Sequence, residues 1–106
     1  MDVDVVDVAG RGRYEAQSEG LVAGFLEYRD HGQVRELTHT EVEQEFEGEG
    51  VGSTLARAAL EDVRSRGGHV RPTCGFVAEW IKRHQDYLDV VEPDTQSRVT
   101  APDPPG

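Results

Sequence analysis

The stretch Glu47-Gly48-Glu49-Gly50-Val51-Gly52, continued by Ser53–Arg66, decides the organisation of this chain. Three alternate glycines are followed at once by apolar residues spaced for one buried helix stripe: Leu55, Ala56, Ala59, Leu60 and Val63. Gly67-Gly68 ends the predicted helix. A glycine turn that opens a helix leaves backbone N–H groups unpaired at the positive end of the helix dipole, where they favour an anion such as phosphate.

The glycine pattern alone does not identify a ligand, because glycine can also be present simply to permit the turn. No Lys-Ser/Thr pair follows the glycines, which excludes a Walker phosphate-binding loop. The spacing also differs from that of a dinucleotide-binding fingerprint. The function therefore has to be inferred from the segments that the fold brings next to this loop.

Length and charge limit the class of protein. The chain has 106 residues, which is enough for one domain with a modest core. Its formal net charge of −10 argues against nucleic acid or a membrane surface as a partner, since both present phosphates. The sequence has no apolar run of ~18 residues and no basic, apolar signal pattern at its start. We therefore expect a soluble, cytoplasmic monomer with Cys74 as a free thiol.

The basic residues are strongly biased in type. Ten of the eleven are Arg and only Lys82 is Lys, against twenty-one Asp and Glu. An acidic, Lys-poor surface suits a high-salt cytoplasm, where charge repulsion is screened within a Debye length of ~3 Å at 1 M salt. A GC-rich genome that replaces Lys by Arg gives the same bias, so the composition is consistent with a halophilic or a GC-rich origin.

Three strands are predicted before the glycine loop. They follow an acidic lead-in at residues 1–12, expected to be frayed or partly paired, and form an antiparallel meander: Arg13–Gln17, Leu21–Arg29 and Val34–Val42. Alternation along the third strand predicts one face with Val34, Glu36, Thr38, Thr40 and Val42, and another with Arg35, Leu37, His39 and Glu41. Neither face is cleanly apolar, so this strand is either poorly buried or lines a site.

The segments after the first helix complete a β-β-β-α-β-α order. They are a strand at His69–Cys74, a second helix at Gly75–His84, and a polar, Pro-rich tail at residues 92–106 that is predicted to be disordered. The helical crossover makes the third and fourth strands parallel, which predicts an α/β (α+β) fold with a mixed, mostly antiparallel sheet. Ligands of such sheets bind at the carboxyl ends of diverging strands, where the glycine loop and Cys74 also lie.

Four motifs in this order and spacing resemble the minimal, single-domain (YjdJ-type) branch of the GNAT acetyltransferase superfamily: His39–Val42, Phe46–Ser53, Cys74–Val77 and His84–Tyr87. The similarity spans about Arg13 to Val91. It implies a GNAT-like domain at residues 13–91 and acetyl-coenzyme A as the cofactor. It also implies transfer of the acetyl group to an amine acceptor, which is a small molecule or a protein amine.

The same resemblance implies which residues bind the cofactor. They are the pyrophosphate-binding loop, the backbone beside the pantetheine arm, and two aromatic residues: Glu47, Gly48, Glu49, Gly50, Val51, Gly52 and Ser53, then Thr40 and Val42, then Phe76 and Trp80. Trp80 at helical spacing is also typical of a core residue. Glu47 stands where the family has Gln or Arg, and together with Glu49 it should oppose an anionic cofactor unless salt screens the charges.

Acetyl transfer to an amine needs a base, donors for the oxyanion and an acid for the leaving thiolate. Cys74 precedes a helix start, where the dipole favours a thiolate, so it is a nucleophile, an acid, or a small buried residue without a catalytic role. His39 and Glu41 are the candidate bases, and each is otherwise a solvated sheet residue. The four histidines show no metal-ligand spacing, so no metal is expected.

Two other functions are compatible with these motifs. One is a non-catalytic module of the same fold that binds coenzyme A or an acyl-coenzyme A, which the carboxylates beside the loop would favour. The other is a structural or interaction domain with an empty cleft. Binding of coenzyme A separates the last possibility from the first two, and turnover separates an enzyme from a binding module.

Overall fold

The computed structural model describes residues 3–101, and its centre is one five-stranded sheet. The strands, in spatial order, are β1 (Asp4–Val8), β2 (Arg13–Ser18), β3 (Leu21–His31), β4 (Val34–Val42) and β5 (His69–Pro72). Neighbours are antiparallel from β1 to β4, and β5 runs parallel to β4. The mixed, mostly antiparallel sheet predicted from the sequence is confirmed, with one strand more than predicted.

Helices and short 3₁₀ turns complete the fold within these residues. They are α1 (Val51–Ser65), α2 (Gly75–Lys82) and α3 (Gln96–Val99), with turns at Ala9–Arg11, Gln44–Phe46, Gln85–Val90 and Pro93–Thr95. α1 makes the crossover from β4 to β5 and buries the predicted apolar stripe. One core forms between α1, α2 and one face of the sheet, with Leu26, Leu37 and Val77 fully buried. None of the helices in residues 3–101 is long and apolar enough to cross a membrane.

The N-terminal segment, expected to be a frayed or partly paired lead-in at residues 1–12, contains a strand that is paired throughout; the first two residues of the segment lie outside the described part. β1 pairs with β2 along its whole length. Val5 packs against the core, and Asp7 accepts hydrogen bonds from the Tyr28 hydroxyl and from Arg35. One of the acidic residues that suggested a solvated segment, Asp7, therefore links the strand to the rest of the fold by hydrogen bonds.

The C-terminal segment is ordered up to residue 101, which corrects the prediction of disorder for residues 92–106, of which the last five lie outside the described part. α3 buries Val99, which is 1% exposed. Gln85 Nε2 donates to the Val99 carbonyl oxygen at 2.9 Å and also to the Ile81 carbonyl oxygen. One apolar residue on a four-residue helix is too short a pattern to be recognised in a Pro-rich sequence.

β4 contains a bulge at Thr38. Leu37 lies opposite Tyr28 and His39 lies opposite Glu27, so that Thr38 has no partner residue on β3. The Thr38 hydroxyl donates instead to the Glu27 carbonyl oxygen at 3.2 Å. A bulge adds one residue to a strand and resets its two-residue period from that point onward.

The bulge decides which β4 residues face the core. The core-facing positions change from odd to even numbers: Arg35, Leu37, Thr40 and Val42. His39 and Glu41 are exposed on the outer face of the sheet, which is the face turned away from α1. The strict alternation predicted for Val34–Val42 is therefore wrong beyond Thr38. The same bulge explains why neither of the predicted faces was cleanly apolar.

β5 leaves β4 halfway along its length. The pairing ends at Leu37 opposite Pro72, and the amides of Thr73 and Cys74 both donate to the Leu37 carbonyl oxygen, at 3.1 and 2.9 Å. Pro72 has no N–H group with which to extend the ladder, and α2 begins at Gly75. Within residues 3–101, no strand lies beside the second half of β4 on this side. We call this opening the β4–β5 gap.

Candidate functional site

The glycine loop, residues 47–53, enters α1 with a backbone that glycine adopts most readily. Gly48 has a φ of 84°, and Gly50, the N-cap of α1, has a φ of 78°. A Cβ atom at either position would meet nothing within 4 Å. The left-handed backbone, rather than crowding, therefore makes glycine the favoured residue at these two positions.

The loop presents a run of free backbone N–H groups at the start of α1. In the described part of the chain, the amides from Gly48 to Ser53 donate no hydrogen bond. The first amide of α1 that donates a hydrogen bond is that of Thr54, which donates to the Gly50 carbonyl oxygen at 3.0 Å. α1 is 15 residues long, and a helix dipole adds roughly half a positive charge at such an end. The loop is therefore built to accept an anion.

One wall of a groove of about 210 Å³, the loop groove, is formed by this loop. The lining residues are Val42, Phe46, Glu47, Gly48, Gly50, Val51, Gly52, Ser53 and Phe76. Large apolar side chains come from β4, from the turn before the loop and from α2. A ligand in the groove therefore meets apolar side chains on one side and backbone N–H groups on the other.

Phe76 lies directly against the loop because Gly52 has no side chain. A Cβ atom at Gly52 would stand 2.8 Å from Phe76 Cζ, which is too close for an undisturbed contact. The Phe76 side chain is nevertheless 40% exposed, which is unusual for a large apolar residue of this protein. The glycine thus brings an aromatic ring to the groove wall, and the ring remains accessible to a ligand.

A thiol lies beside β4, near the end of the groove that Val42 lines. Val42 lines the groove, and Thr40 lies two residues earlier on the same face of β4. Cys74, the N-cap of α2, places its Sγ 3.3 Å from Thr40 Oγ1, within hydrogen-bond distance. Cys74 is 8% exposed. The structure therefore positions a hydrogen-bonded thiol on the core side of the β4–β5 gap.

A histidine and a carboxylate form a pair on the outer face of the same part of β4. His39 Nε2 lies 3.0 Å from Glu41 Oε1, and both side chains are more than half exposed, at 52% and 58%. The His39 ring is 6.2 Å from that of Phe25, over which Arg13 places its guanidinium at 4.4 Å. This pair can orient an imidazole and accept a proton.

The three predicted catalytic residues are thus not brought into one cluster. Cys74 is on the core side of β4, whereas His39 and Glu41 are on its outer face. The backbone of β4 separates them, and the β4–β5 gap opens beside all three. Within residues 3–101, no group of three or more His, Cys, Asp or Glu is arranged to hold a metal ion.

The comparisons with known proteins agree with this geometry. The model of the GCN5-related N-acetyl-transferase family matches residues 13–90. This chain belongs to that family. It is therefore a GNAT-type acetyltransferase.

A solved structure shares the fold of this acetyltransferase. It is the NMR solution structure of a GCN5-like protein from Staphylococcus aureus, with a TM-score of 0.65 and 23% sequence identity. The match covers 84% of this chain and 87% of the other. No curated protein matches the sequence. At this identity the solved structure supports the fold, while the family match supports the enzyme class.

The two aromatic residues predicted to contact the cofactor occupy different places in the acetyltransferase. Phe76 lines the loop groove, whereas Trp80 does not: it is 1% exposed and belongs to the core. Its ring stacks on His84 at 3.7 Å and packs against Tyr87. Phe46, which was not predicted as a site residue although it immediately precedes the loop, also lines the loop groove.

The two charged residues of the loop are exposed beside its free amides. Glu47 and Glu49 are exposed, and in the described chain neither side chain takes part in a hydrogen bond or an ion pair. Glu47 lines the loop groove. An anion on the loop amides therefore experiences attraction from the backbone and repulsion from two uncompensated carboxylates.

Proposed function

We propose that this acetyltransferase moves an acetyl group from acetyl-coenzyme A to an amine, with the cofactor in the loop groove. The observation that carries the proposal is the run of free amides from Gly48 to Ser53 at the start of α1, beside a groove that reaches Val42 in the second half of β4. A pyrophosphate is the group that such a run of free amides binds best.

The residues of the groove have the chemical groups that coenzyme A requires. The loop amides would hold the pyrophosphate, and Val42, Phe46 and Phe76 offer apolar contact to the pantetheine arm. The second half of β4 has no strand neighbour on the gap side, so that the backbone near Thr40 and Val42 is available for hydrogen bonds with the arm. When bound, acetyl-coenzyme A supplies the acetyl group as an activated thioester.

We assign the base to the His39–Glu41 pair. An amine is protonated at neutral pH, so it must lose a proton before it can attack. His39 Nε2 lies 3.0 Å from Glu41 Oε1, so the carboxylate can hold the imidazole in one orientation while His39 takes the proton. Because this pair lies on the outer face, the amine would approach the gap from the side opposite to α1.

We assign to Cys74, whose Sγ lies within hydrogen-bond distance of Thr40 Oγ1, the role of the acid that protonates the leaving sulfur. A non-catalytic coenzyme A-binding module is the second candidate. It is favoured by one observation: the thiol and the His39–Glu41 pair lie on opposite faces of β4. Steady turnover of acetyl-coenzyme A with an amine panel, lost in His39→Ala, would exclude that module.

Binding of the cofactor by the loop amides is tested by substituting two glycines that have nearly the same positive φ. Gly48→Ala places a Cβ at a φ of 84° inside the loop, and Gly20→Ala does so at a φ of 81° in the turn between β2 and β3. Neither Cβ would meet another atom within 4 Å. Both variants should lose similar stability, on the order of 1–2 kcal/mol for a residue forced into this conformation.

Calorimetric titration with acetyl-coenzyme A separates the two variants. Gly48→Ala should weaken binding at least several-fold, because relaxing the strained backbone re-aims the loop amides, and Gly20→Ala should bind like the wild type. Equal affinity in the two variants would remove the loop from the cofactor site. No binding by the folded wild-type protein at any salt concentration would refute the cofactor assignment altogether.

A further inference from the structure

A second groove continues from the loop groove along the exposed face of α1. This helix groove has a volume of about 360 Å³ and is lined by Ser53, Thr54, Arg57, Ala58 and Glu61. Ser53 lines both grooves, so the two meet at the first turn of α1. A ligand whose phosphates rest on the loop amides can therefore extend into the helix groove without leaving the surface of the protein.

Arg57 is the one cationic side chain among the described residues that line the two grooves. It lies four residues after Ser53, which is about 6 Å along a helix that rises 1.5 Å per residue. Among residues 3–101, no carboxylate lies within ion-pair distance of its guanidinium, although Glu61 lines the same groove. Its positive charge is thus available to a ligand.

The position of Arg57 is set by the aromatic residues beneath it. Its Nη1 donates to the Tyr87 hydroxyl at 3.1 Å, and its guanidinium lies 5.2 Å from the Trp80 ring centroid and 5.8 Å from that of Tyr87. The Tyr87 hydroxyl in turn donates to Glu61 Oε2 at 3.2 Å. Glu61 is therefore engaged by the tyrosine, and the arginine is held beside the groove by one neutral hydrogen bond and two ring faces.

We propose that Arg57 binds the phosphate on the ribose of coenzyme A, with the nucleotide end of the cofactor in the helix groove. The inference rests on the proposed function, because it needs the pyrophosphate on the loop. Coenzyme A carries phosphate both in its pyrophosphate and on its ribose, and the loop amides account only for the former. A guanidinium is the side chain that matches phosphate best, through two parallel hydrogen bonds.

This placement gives Trp80 a positioning role. The ring does not line either groove, but it supports the guanidinium that does. Arg57 also offsets the repulsion from the loop carboxylates. Glu47 and Glu49 repel an anionic ligand, while Arg57 attracts it from the other side of Ser53. The protein would therefore bind a cofactor that carries the ribose phosphate more tightly than the loop alone could bind it.

The experiment titrates the full chain with coenzyme A and with 3′-dephospho-coenzyme A, which lacks only the ribose phosphate. The wild type should bind coenzyme A about tenfold more tightly, a ratio that corresponds to one charge-assisted phosphate contact. Arg57→Gln should bind both ligands equally, with the affinity that the wild type has for the dephospho form. Arg57→Lys should keep part of the preference, because the charge remains.

Arg64→Gln is the matched control. Arg64 lies on the same helix, pairs with Asp89 and lines neither groove, so its loss should leave the ratio unchanged. If Arg57→Gln does not fold, as judged by thermal unfolding, the ratio in Arg57→Lys decides: a value equal to that of the wild type refutes the phosphate contact.

The outcomes for the two proposals differ. A wild type that binds both ligands equally, or an Arg57→Gln variant that still prefers coenzyme A tenfold, overturns the role of Arg57 and leaves the loop assignment intact. A wild type that binds neither ligand overturns both proposals.

Discussion

At the scale of single residues, the loop combines attraction and repulsion in one short segment. Its amides are free because the first turn of a helix has no earlier carbonyl to receive them. Glu47 and Glu49 stand between the glycines with exposed, unpaired carboxylates. The sequence showed both features directly, since they depend only on neighbours in the chain. Their combined effect depends on ionic strength, because salt screens exposed charges while short-range hydrogen bonds are little affected.

This balance leads to a prediction for the loop carboxylates. Glu47→Gln and Glu49→Gln together should strengthen binding of acetyl-coenzyme A at low salt, by a factor on the order of ten, since each removes up to about 1 kcal/mol of repulsion in water. At 1 M salt the gain should largely disappear, because the Debye length falls to about 3 Å. Calorimetric titration at both salt concentrations measures the effect.

The control for these variants is Asp94→Asn, an exposed acidic residue in the Pro93–Thr95 turn. It changes the net charge but should leave the affinity at low salt almost unchanged. If the control strengthened binding as much as the loop variants, the effect would come from the overall charge of the protein rather than from the loop.

At the scale of elements, the largest difference between expectation and structure concerns the chain ends. The acidic N-terminal segment was expected to be frayed or partly paired, and the Pro-rich C-terminal segment was expected to be disordered. Composition describes what a segment could do alone, whereas β1 gains its hydrogen bonds from β2 and α3 gains its contacts from α2. The composition of β1 does not show that the whole strand pairs with β2, and local periodicity cannot identify the contact of α3 with α2 across the two turns that separate them.

The folded C-terminal segment is testable through Val99. Val99→Ala should lower the free energy of unfolding by about 2 kcal/mol, because it removes buried methyl groups and leaves a cavity. Val6→Ala, at a β1 position that is 42% exposed, is the matched control and should cost less than about 0.5 kcal/mol. Urea unfolding compares the two. Equal small effects would indicate that α3 does not pack on the protein in solution.

At the scale of the whole molecule, a buried arginine joins four strands and α1. Arg35, on β4, pairs with Asp30 at 2.7 Å and with Asp7 and Asp62 at longer distances. Its Nη1 donates to the Tyr14 hydroxyl on β2, and its guanidinium lies 3.7 Å from the Tyr28 ring centroid. Burial, and then the hydrogen bond to Asp7, raises the pKa of Tyr28 to about 12. The folded protein therefore favours the neutral phenol more strongly than the unfolded chain does.

The raised pKa predicts a loss of stability in alkali. The contribution of Tyr28 is fully present below the ordinary tyrosine pKa of about 10 and is lost as the pH rises through about 12, the folded value. The free energy of unfolding should fall by about 1–2 kcal/mol over this range through this residue. Tyr28→Phe should be less stable at pH 8 but show a shallower alkaline decline. A decline as steep as that of the wild type would assign the effect to other groups.

The sequence by itself determined the glycine loop, the helix that follows it, the parallel crossover and the acetyltransferase family. These features depend on residues close together in the chain, where backbone preference and apolar spacing act directly. Only the tertiary structure decided the side of β4 on which each candidate residue lies, because a single unpaired residue, Thr38, resets the period of the strand. It also placed Trp80 in the core beneath Arg57. The first depends on how β4 pairs with β3 and the second on how α1 packs against α2, and neither can be read from the residues of one element alone.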